Sequence, residues 1–315
     1  MSLSLRSDQA DDAQRVLANL LAGTSTIYTL PTAGGKTRVL AHTLRSFADA
    51  NGGRVLFLAP LEELLYQAEP DLHAAGLTTK IAKGVQGVRR AFQGDARVVL
   101  ATMHSMARAV QEHASEFQQT SLIAVDEAHM TGAESYGQIF EALPDAVRFG
   151  VTATPTRTDK RSLGRHFRKL VTGLTSEALE RRGVLASVRL FAPTTLDLSK
   201  ARRRNGQYSG SALAKAMQPL LGDLPSHYWR LARGRKGIVF AQTIKQAEAI
   251  TRRFNEFTDD GERVVRAECI TSADGREKRA LTLERFRRGE FDLLVNVDLF
   301  IQGLNVPDVD CVILC

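Results

Sequence analysis

The chain has 315 residues, 43% of them hydrophobic and 24% charged, which gives enough length for two cores and a globular composition, and no apolar run reaches the roughly 18 residues of a membrane-spanning helix. The polar, acidic start from Met1 to Asp12 excludes a secretory signal and implies residence in the cytoplasm, where Cys269, Cys311 and Cys315, without a Cys-x-x-Cys pair, read as reduced thiols. A formal charge of +7 and a pI near 9.5 favour polyanionic partners, because basic side chains release counterions from phosphates.

Short apolar runs at 26–30, 55–59, 98–101, 122–125 and 149–151 read as buried strands, and amphipathic stretches such as 36–48 and 61–73 lie between them. That alternation is the pattern of parallel βαβ units with helices on both faces of a sheet. A second series, with strands at 237–240, 264–267, 293–297 and 309–314, follows a turn-rich segment that contains Asn205-Gly206 and Ser209-Gly210. The expected organisation is α/β: a first domain over 1–190, a connecting segment with a leading helix over 191–223, and a second domain over 224–315.

The first strand ends at Leu30 and is followed by Pro31-Thr32-Ala33-Gly34-Gly35-Lys36-Thr37 and then a helical pattern. Small residues at Thr32, Ala33, Gly34 and Gly35 let backbone N–H groups curl around phosphates at a helix N-terminus, where unpaired donors and the helix dipole favour an anion. Lys36 is placed to reach the β and γ phosphates of ATP, and the Thr37 hydroxyl to hold Mg²⁺. The strict phosphate-loop pattern has glycine where Leu30 stands, and a Gly-Lys-Thr tripeptide alone also occurs in ordinary turns. The strand 122–125 runs directly into Asp126-Glu127-Ala128-His129. Two successive acids there diverge, so that Asp126 can hold Mg²⁺ through water while Glu127 deprotonates the attacking water. Asp126 by itself would equally suit a helix N-cap; the glycine loop upstream is what favours the catalytic reading.

In this order the motifs resemble those of superfamily 2 helicases of the DEAD/DEAH-box type, and the resemblance covers nearly the whole chain. It implies two RecA-like domains. Leu5-Arg6-Ser7-Asp8-Gln9 is similar to the segment whose glutamine, here Gln9, reads adenine. Segments 58–67 and 101–106 resemble motifs that lie on the nucleic-acid backbone, which implies contacts from Pro60, Thr102 and Ser105. His129 would join the ATP site to 150–157, which resembles motif III, and the hydroxyls of Thr152 and Thr154 would sense the γ-phosphate. In the second half, 237–241 resembles motif IV, 270–273 the following backbone-contact loop with Thr271, and 302–307 motif V, in which Gly303 and Asn305 would meet the nucleotide. The family commonly has aspartate where Asn305 stands, which implies weaker coupling. The pattern is closest to the branch of restriction-enzyme motor subunits, XPB-like and phage helicases.

The family's arginine-bearing motif VI is expected after the strand 309–314, so the reading at this stage is a second domain incomplete before that motif. Two functions follow: an ATP-dependent helicase or translocase on DNA, or less readily RNA, and an ATP- and nucleic-acid-binding module with little turnover. A further subunit supplying missing elements is an expected partner, and a membrane is not.

Overall fold

The computed structural model describes residues 3–154, 163–191, 203–204, 207–208, 224–297, 306 and 308–315. The chain divides into two compact units, Met1–Arg189 and Leu190–Cys315. No helix among the described residues is long and apolar enough to cross a membrane.

The first unit is built on seven strands: β1 (Thr26–Thr29), β2 (Arg54–Ala59), β3 (Thr79–Ala82), β4 (Val98–Thr102), β5 (Thr120–Val125), β6 (Val147–Thr152) and β7 (Lys169–Thr172). They form one sheet in the order β3-β4-β2-β5-β6-β1-β7, and every pair is parallel. The central strands carry continuous buried apolar runs, Val55–Ala59, Val98–Ala101 and Leu122–Val125, as a parallel sheet covered on both faces requires. Helices α1 (Ser7–Leu21), α2 (Lys36–Asn51) and α3 (Glu62–Ala74) pack one face through Val16, Leu20, Leu40, Leu44, Leu65 and Leu72. Helices α4 (Gly84–Gln93), α5 (Met103–His113) and α6 (Glu134–Ala142) pack the other through Phe92, Met106, Val110, Tyr136 and Ile139. Each fully buried Leu or Phe contributes about 1.5–3 kcal/mol. A short α7 (Ser176–Arg181), N-capped by Thr175, closes the unit.

Strands β3 and β7, absent from the sequence reading, are the two edges of this sheet. Three of the four residues of β7 are exposed, so neither the apolar run nor the alternation that marks an inner strand is present.

One buried charge fixes α1 to the sheet. Asp12 is 4% exposed; its Oδ2 accepts a hydrogen bond from Tyr28 Oη at 2.8 Å, and its other oxygen pairs with Arg15. Gly173 lies directly against this pair, since a Cβ there would stand 2.7 Å from Tyr28 Oη and 2.8 Å from Asp12 Oδ2.

The second unit has β8 (Arg203–Arg204) antiparallel to β9 (Gln207–Tyr208), and a four-stranded parallel sheet of β10 (Gly237–Phe240), β13 (Ala267–Ile270), β14 (Leu293–Asn296) and β15 (Cys311–Leu314), in the order β13-β14-β10-β15. A two-residue ladder joins β11 (Thr258–Asp259) to β12 (Glu262–Arg263). Helices α8 (Leu224–Ala232) and α9 (Ile244–Glu256) cover one face with Tyr228, Ile250 and Phe254. The other face holds Phe286 of α10 (Arg276–Arg287) stacked on Phe291 at 5.3 Å. The strand expected at 264–267 begins only at Ala267, because the Asp292 carboxylate takes the Arg266 N–H at 2.7 Å just before it. The expected leading helix before residue 224 lies outside the described residues.

Tyr28→Phe should lower the stability of the full chain by about 1.5–3 kcal/mol, because a buried carboxylate loses a charge-assisted donor. Denaturant unfolding followed by circular dichroism measures this, and an unchanged midpoint would show that Arg15 alone satisfies Asp12.

Candidate functional site

The carboxyl ends of β1, β6 and β5 lie side by side, with Thr29 paired to Thr152 and Gly150 paired to Val125. Neighbouring strands are about 4.8 Å apart, so the loops leaving β1 and β5, distant in sequence, emerge within reach of each other. The loop after β1 is held at its start by the Leu30 N–H on the Thr152 carbonyl at 3.2 Å, and it turns tightly through the Gly34 N–H on the Pro31 carbonyl at 3.0 Å. Ala33 (φ 62°) and Gly35 (φ 93°) both take left-handed backbone, and α2 starts immediately after. Gly35 also lies against Gln9: a Cβ there would stand 2.5 Å from Gln9 Nε2. Thr32 and Ala33 are exposed, Gly34 is buried, and Gly35, Lys36 and Thr37 are half-buried.

Gln9 is 1% exposed, and both ends of its amide are in use. Nε2 donates to the Gly34 carbonyl at 3.1 Å, and Oε1 accepts from the Arg6 N–H at 3.0 Å, which is one half of a capping box at the start of α1. Arg6 Nη2 donates to the same Gly34 carbonyl at 3.1 Å and is ion-paired with Asp8 at 3.0 Å. Two donors thus grip one loop carbonyl. Arg6 was not singled out in the sequence, although its place three residues before a glutamine at a helix start was the available signal.

The structure brings Lys36, Asp126 and Glu127 into one electrostatic group. Burial depresses the Lys36 pKa, and the charges of Glu127 and Asp126 oppose that shift. Asp126 is pushed up to about 6, first by burial and then by the Glu127 charge, against the Glu127 N–H and Lys36, which hold it down. The Asp126 N–H donates to the Leu58 carbonyl at 2.9 Å, and Asp126 Oδ1 accepts the Glu127 N–H at 2.9 Å. Glu127 takes φ 51°, a left-handed conformation rare for a side chain of its size. The fully buried Tyr136 hydroxyl has no hydrogen-bond partner among the described residues, and burial with the nearby charges of Asp126 and Glu127 raises its pKa.

The three residues expected to couple the site are also joined. His129 Nδ1 stands 3.1 Å from Thr152 Oγ1 and 3.3 Å from Glu127 Oε2. Thr152, fully buried at the end of β6, accepts the Thr154 N–H at 3.1 Å. A polar chain therefore runs from Glu127 through His129 and Thr152 to Thr154.

The residues expected to contact nucleic acid differ in exposure. Thr102 caps α5 by accepting the Ser105 N–H at 3.3 Å, the two hydroxyls are 3.0 Å apart, and both residues are half-buried at the helix N-terminus. Pro60 is buried at the end of β2, and the next residue, Leu61, is 42% exposed. Thr271, in the second unit, is 6% exposed, with its hydroxyl 3.2 Å from Asp274 Oδ2. Gly303 and Asn305 lie outside the described residues.

The oxygen donors Thr37 and Asp126 beside an acidic partner suit a hard divalent cation, and a glycine loop opening a helix suits phosphate. Among the described residues no cluster of three or more His, Cys, Asp or Glu that could hold a metal ion is present.

The chain is similar to known proteins along most of its length. The family model for the type III restriction enzyme res subunit matches residues 2–157, and that for the helicase conserved C-terminal domain matches 218–315. The chain is 29% identical over 286 residues to a 51.5 kDa protein of a Lactococcus phage, covering 90% of this chain and 57% of that protein. It is 23% identical over 328 residues to the helicase-like protein IRC3 of Saccharomyces cerevisiae, covering 99% and 47%. It thus spans about half the length of these relatives. Its fold resembles that of Mycobacterium smegmatis helicase Lhr, solved bound to ssDNA and AMP-PNP, with a TM-score of 0.60 at 19% identity, over 99% of this chain and 42% of Lhr.

A raised carboxyl pKa in the folded state means that protonated Asp126 contributes stability that is fully present below the ordinary carboxylate range. That contribution is lost as pH climbs through about 6. Asp126→Asn should therefore be more stable than the unsubstituted chain by about 1–3 kcal/mol at neutral pH, with the gap closing below about pH 4. Thermal unfolding from pH 4 to 8, without nucleotide or magnesium, reads this directly; a gap independent of pH would contradict it.

Proposed function

Because the chain belongs to the superfamily 2 helicases, a family of nucleic-acid-dependent ATPases, we propose that it hydrolyses ATP to drive movement along nucleic acid, with DNA as the track. The observation that carries this reading is the electrostatic grouping of Lys36 with Asp126 and Glu127 beneath a glycine loop that opens a helix. In this proposal the loop N–H groups from Thr32 to Thr37 cradle the phosphates, and the Lys36 ammonium offsets charge on the β and γ phosphates. Its depressed pKa suits the role, since burial has already removed much of the water it would lose on binding a phosphate. Thr37 and Asp126 would hold Mg²⁺, which when bound neutralises phosphate charge. Glu127 orients a water against the γ-phosphorus and takes its proton as the bond to the bridging oxygen breaks, leaving ADP and inorganic phosphate.

The link to movement runs, in this reading, through His129, Thr152 and Thr154. Any shift of Glu127 on loss of the γ-phosphate alters the His129 contact and then the end of β6. On the same edge of the sheet, Thr102 and Ser105 offer hydroxyls and the N-terminus of α5 to backbone phosphates. The ssDNA-bound state named for Lhr supports single-stranded DNA as the track to test first. Beyond its bonds to Gly34 and Arg6, Gln9 keeps one Nε2 hydrogen and one Oε1 lone pair, the donor and acceptor that adenine would need.

ATP turnover by the full chain should rise when single-stranded DNA is added. Glu127→Gln should lower the stimulated kcat by about 10²–10⁴-fold with little change in ATP affinity, whereas Lys36→Ala should weaken ATP binding itself. A phosphate-release assay with a nucleotide-binding titration measures both. Turnover that survives both substitutions would sink the proposal, and DNA and ATP binding without stimulated turnover would leave the binding-module reading in its place.

A further inference from the structure

The carboxyl ends of β2, β4 and β3 carry a side-chain cluster that the nucleotide chemistry does not use. Tyr66, in the second turn of α3, is 46% exposed. Nζ of Lys83, the residue between β3 and α4, stands 5.4 Å from the centre of the Tyr66 ring. Lys83 is also ion-paired with Glu62 in the first turn of α3. Hydrogen bonds to Glu62 and Tyr66 raise the Lys83 pKa, so the amine is charged at every physiological pH. Since β4 lies between β3 and β2, the Thr102 and Ser105 hydroxyls at its end share this part of the sheet edge.

Each feature is ordinary alone. A surface ion pair is worth little, and single exposed aromatics are common. Their combination is more selective: a half-exposed tyrosine ring, a cation beside it, and hydroxyls at a helix N-terminus that follows the intervening strand. A nucleic-acid single strand offers the matching set, a flat unpaired base and a phosphate at each nucleotide. The phosphate can replace Glu62 as the partner of Lys83 at small cost, because the existing pair is exposed and screened. A duplex keeps its bases stacked on one another and has none to offer the ring.

We propose that Tyr66 is a stacking platform for an unpaired base, with Lys83 taking a neighbouring phosphate, so that this surface distinguishes single strands from duplex. The inference rests on the nucleic-acid reading above and adds a base contact to what is otherwise a backbone-gripping face. It assigns no base preference, because every base presents a flat face.

Fluorescence anisotropy of the full chain with a labelled single-stranded oligonucleotide and with a blunt duplex, at several salt concentrations and without nucleotide, tests it. Tyr66→Ala should weaken single-strand binding by about 5- to 100-fold and leave duplex binding unchanged, whereas Tyr66→Phe should bind as the unsubstituted chain does. Lys83→Ala should flatten the salt dependence of single-strand binding by about 0.7 in the log–log slope. Folding of each variant is checked by its thermal midpoint. Single-strand binding unaffected by Tyr66→Ala, equal losses on both substrates, or a Tyr66→Phe loss as large as that of Tyr66→Ala would each overturn the platform. If the unsubstituted chain binds no single strand, the reading of the site as a nucleic-acid motor falls, and the platform with it.

Discussion

The first unit is organised around an unbalanced, half-buried charge group in which two adjacent carboxylates, Asp126 and Glu127, act on one ammonium, Lys36. Burial raises the free energy of the charged forms of Asp126 and Lys36. Burial, and after it the Glu127 charge, raises the Asp126 pKa, and burial depresses that of Lys36, so both ends of the interaction are held away from their comfortable states. A well-packed apolar pair would be more stable at this position. A magnesium ion with a triphosphate would correct the imbalance, since the cation satisfies the acids and the phosphates satisfy the lysine.

Backbone strain accompanies the charge. Glu127 and Ala33, both with side chains, are held in left-handed conformations on the two loops that carry the acids and the lysine. Such residues cost about 1–3 kcal/mol each and persist only where surrounding structure fixes them. The fixing groups are visible: Asp126 Oδ1 on the Glu127 N–H, the Met130 N–H on the Glu127 carbonyl, and the paired grip of Gln9 and Arg6 on Gly34. The rigid sheet beneath, with fully buried Leu122, Ala124, Phe149 and Val151, supplies the support that lets these loops stay strained.

Sequence patterns revealed the parts of this design that depend on residue type at a fixed place in a strand–loop–helix unit. Lys36 after two glycines, and two acids at the end of an apolar strand, are legible because chemistry dictates them directly. The edge strands β3 and β7 were not legible, since a strand paired on one side and washed on the other carries little apolar signal. Partnerships across the fold were also hidden. Nothing local in Asp12 or Tyr28 announces that they meet, and nothing in Pro60 or Thr271 announces burial; these follow from how distant segments close over one another. Gln9 shows the mixed case: its position at a helix start was readable, while its grip on Gly34 was not.

The sheet edge is divided by function in a way that strand order alone enforces. Strands β1, β6 and β5 end at the lysine, the threonine–histidine chain and the acids, whereas β2, β4 and β3 end at Leu61, Thr102 and Lys83. The boundary falls between β5 and β2, and one hydrogen bond crosses it at the critical level: the Asp126 N–H on the Leu58 carbonyl at 2.9 Å. Leu58 lies four residues before Glu62, whose carboxylate holds Lys83. A change in the Asp126 loop therefore has a short covalent and hydrogen-bonded route to the segment beside the proposed track. Because the interior of a parallel sheet deforms little, such a change would be expressed at the loops, where Glu127 is already strained and the Glu62–Lys83 ion pair is exposed.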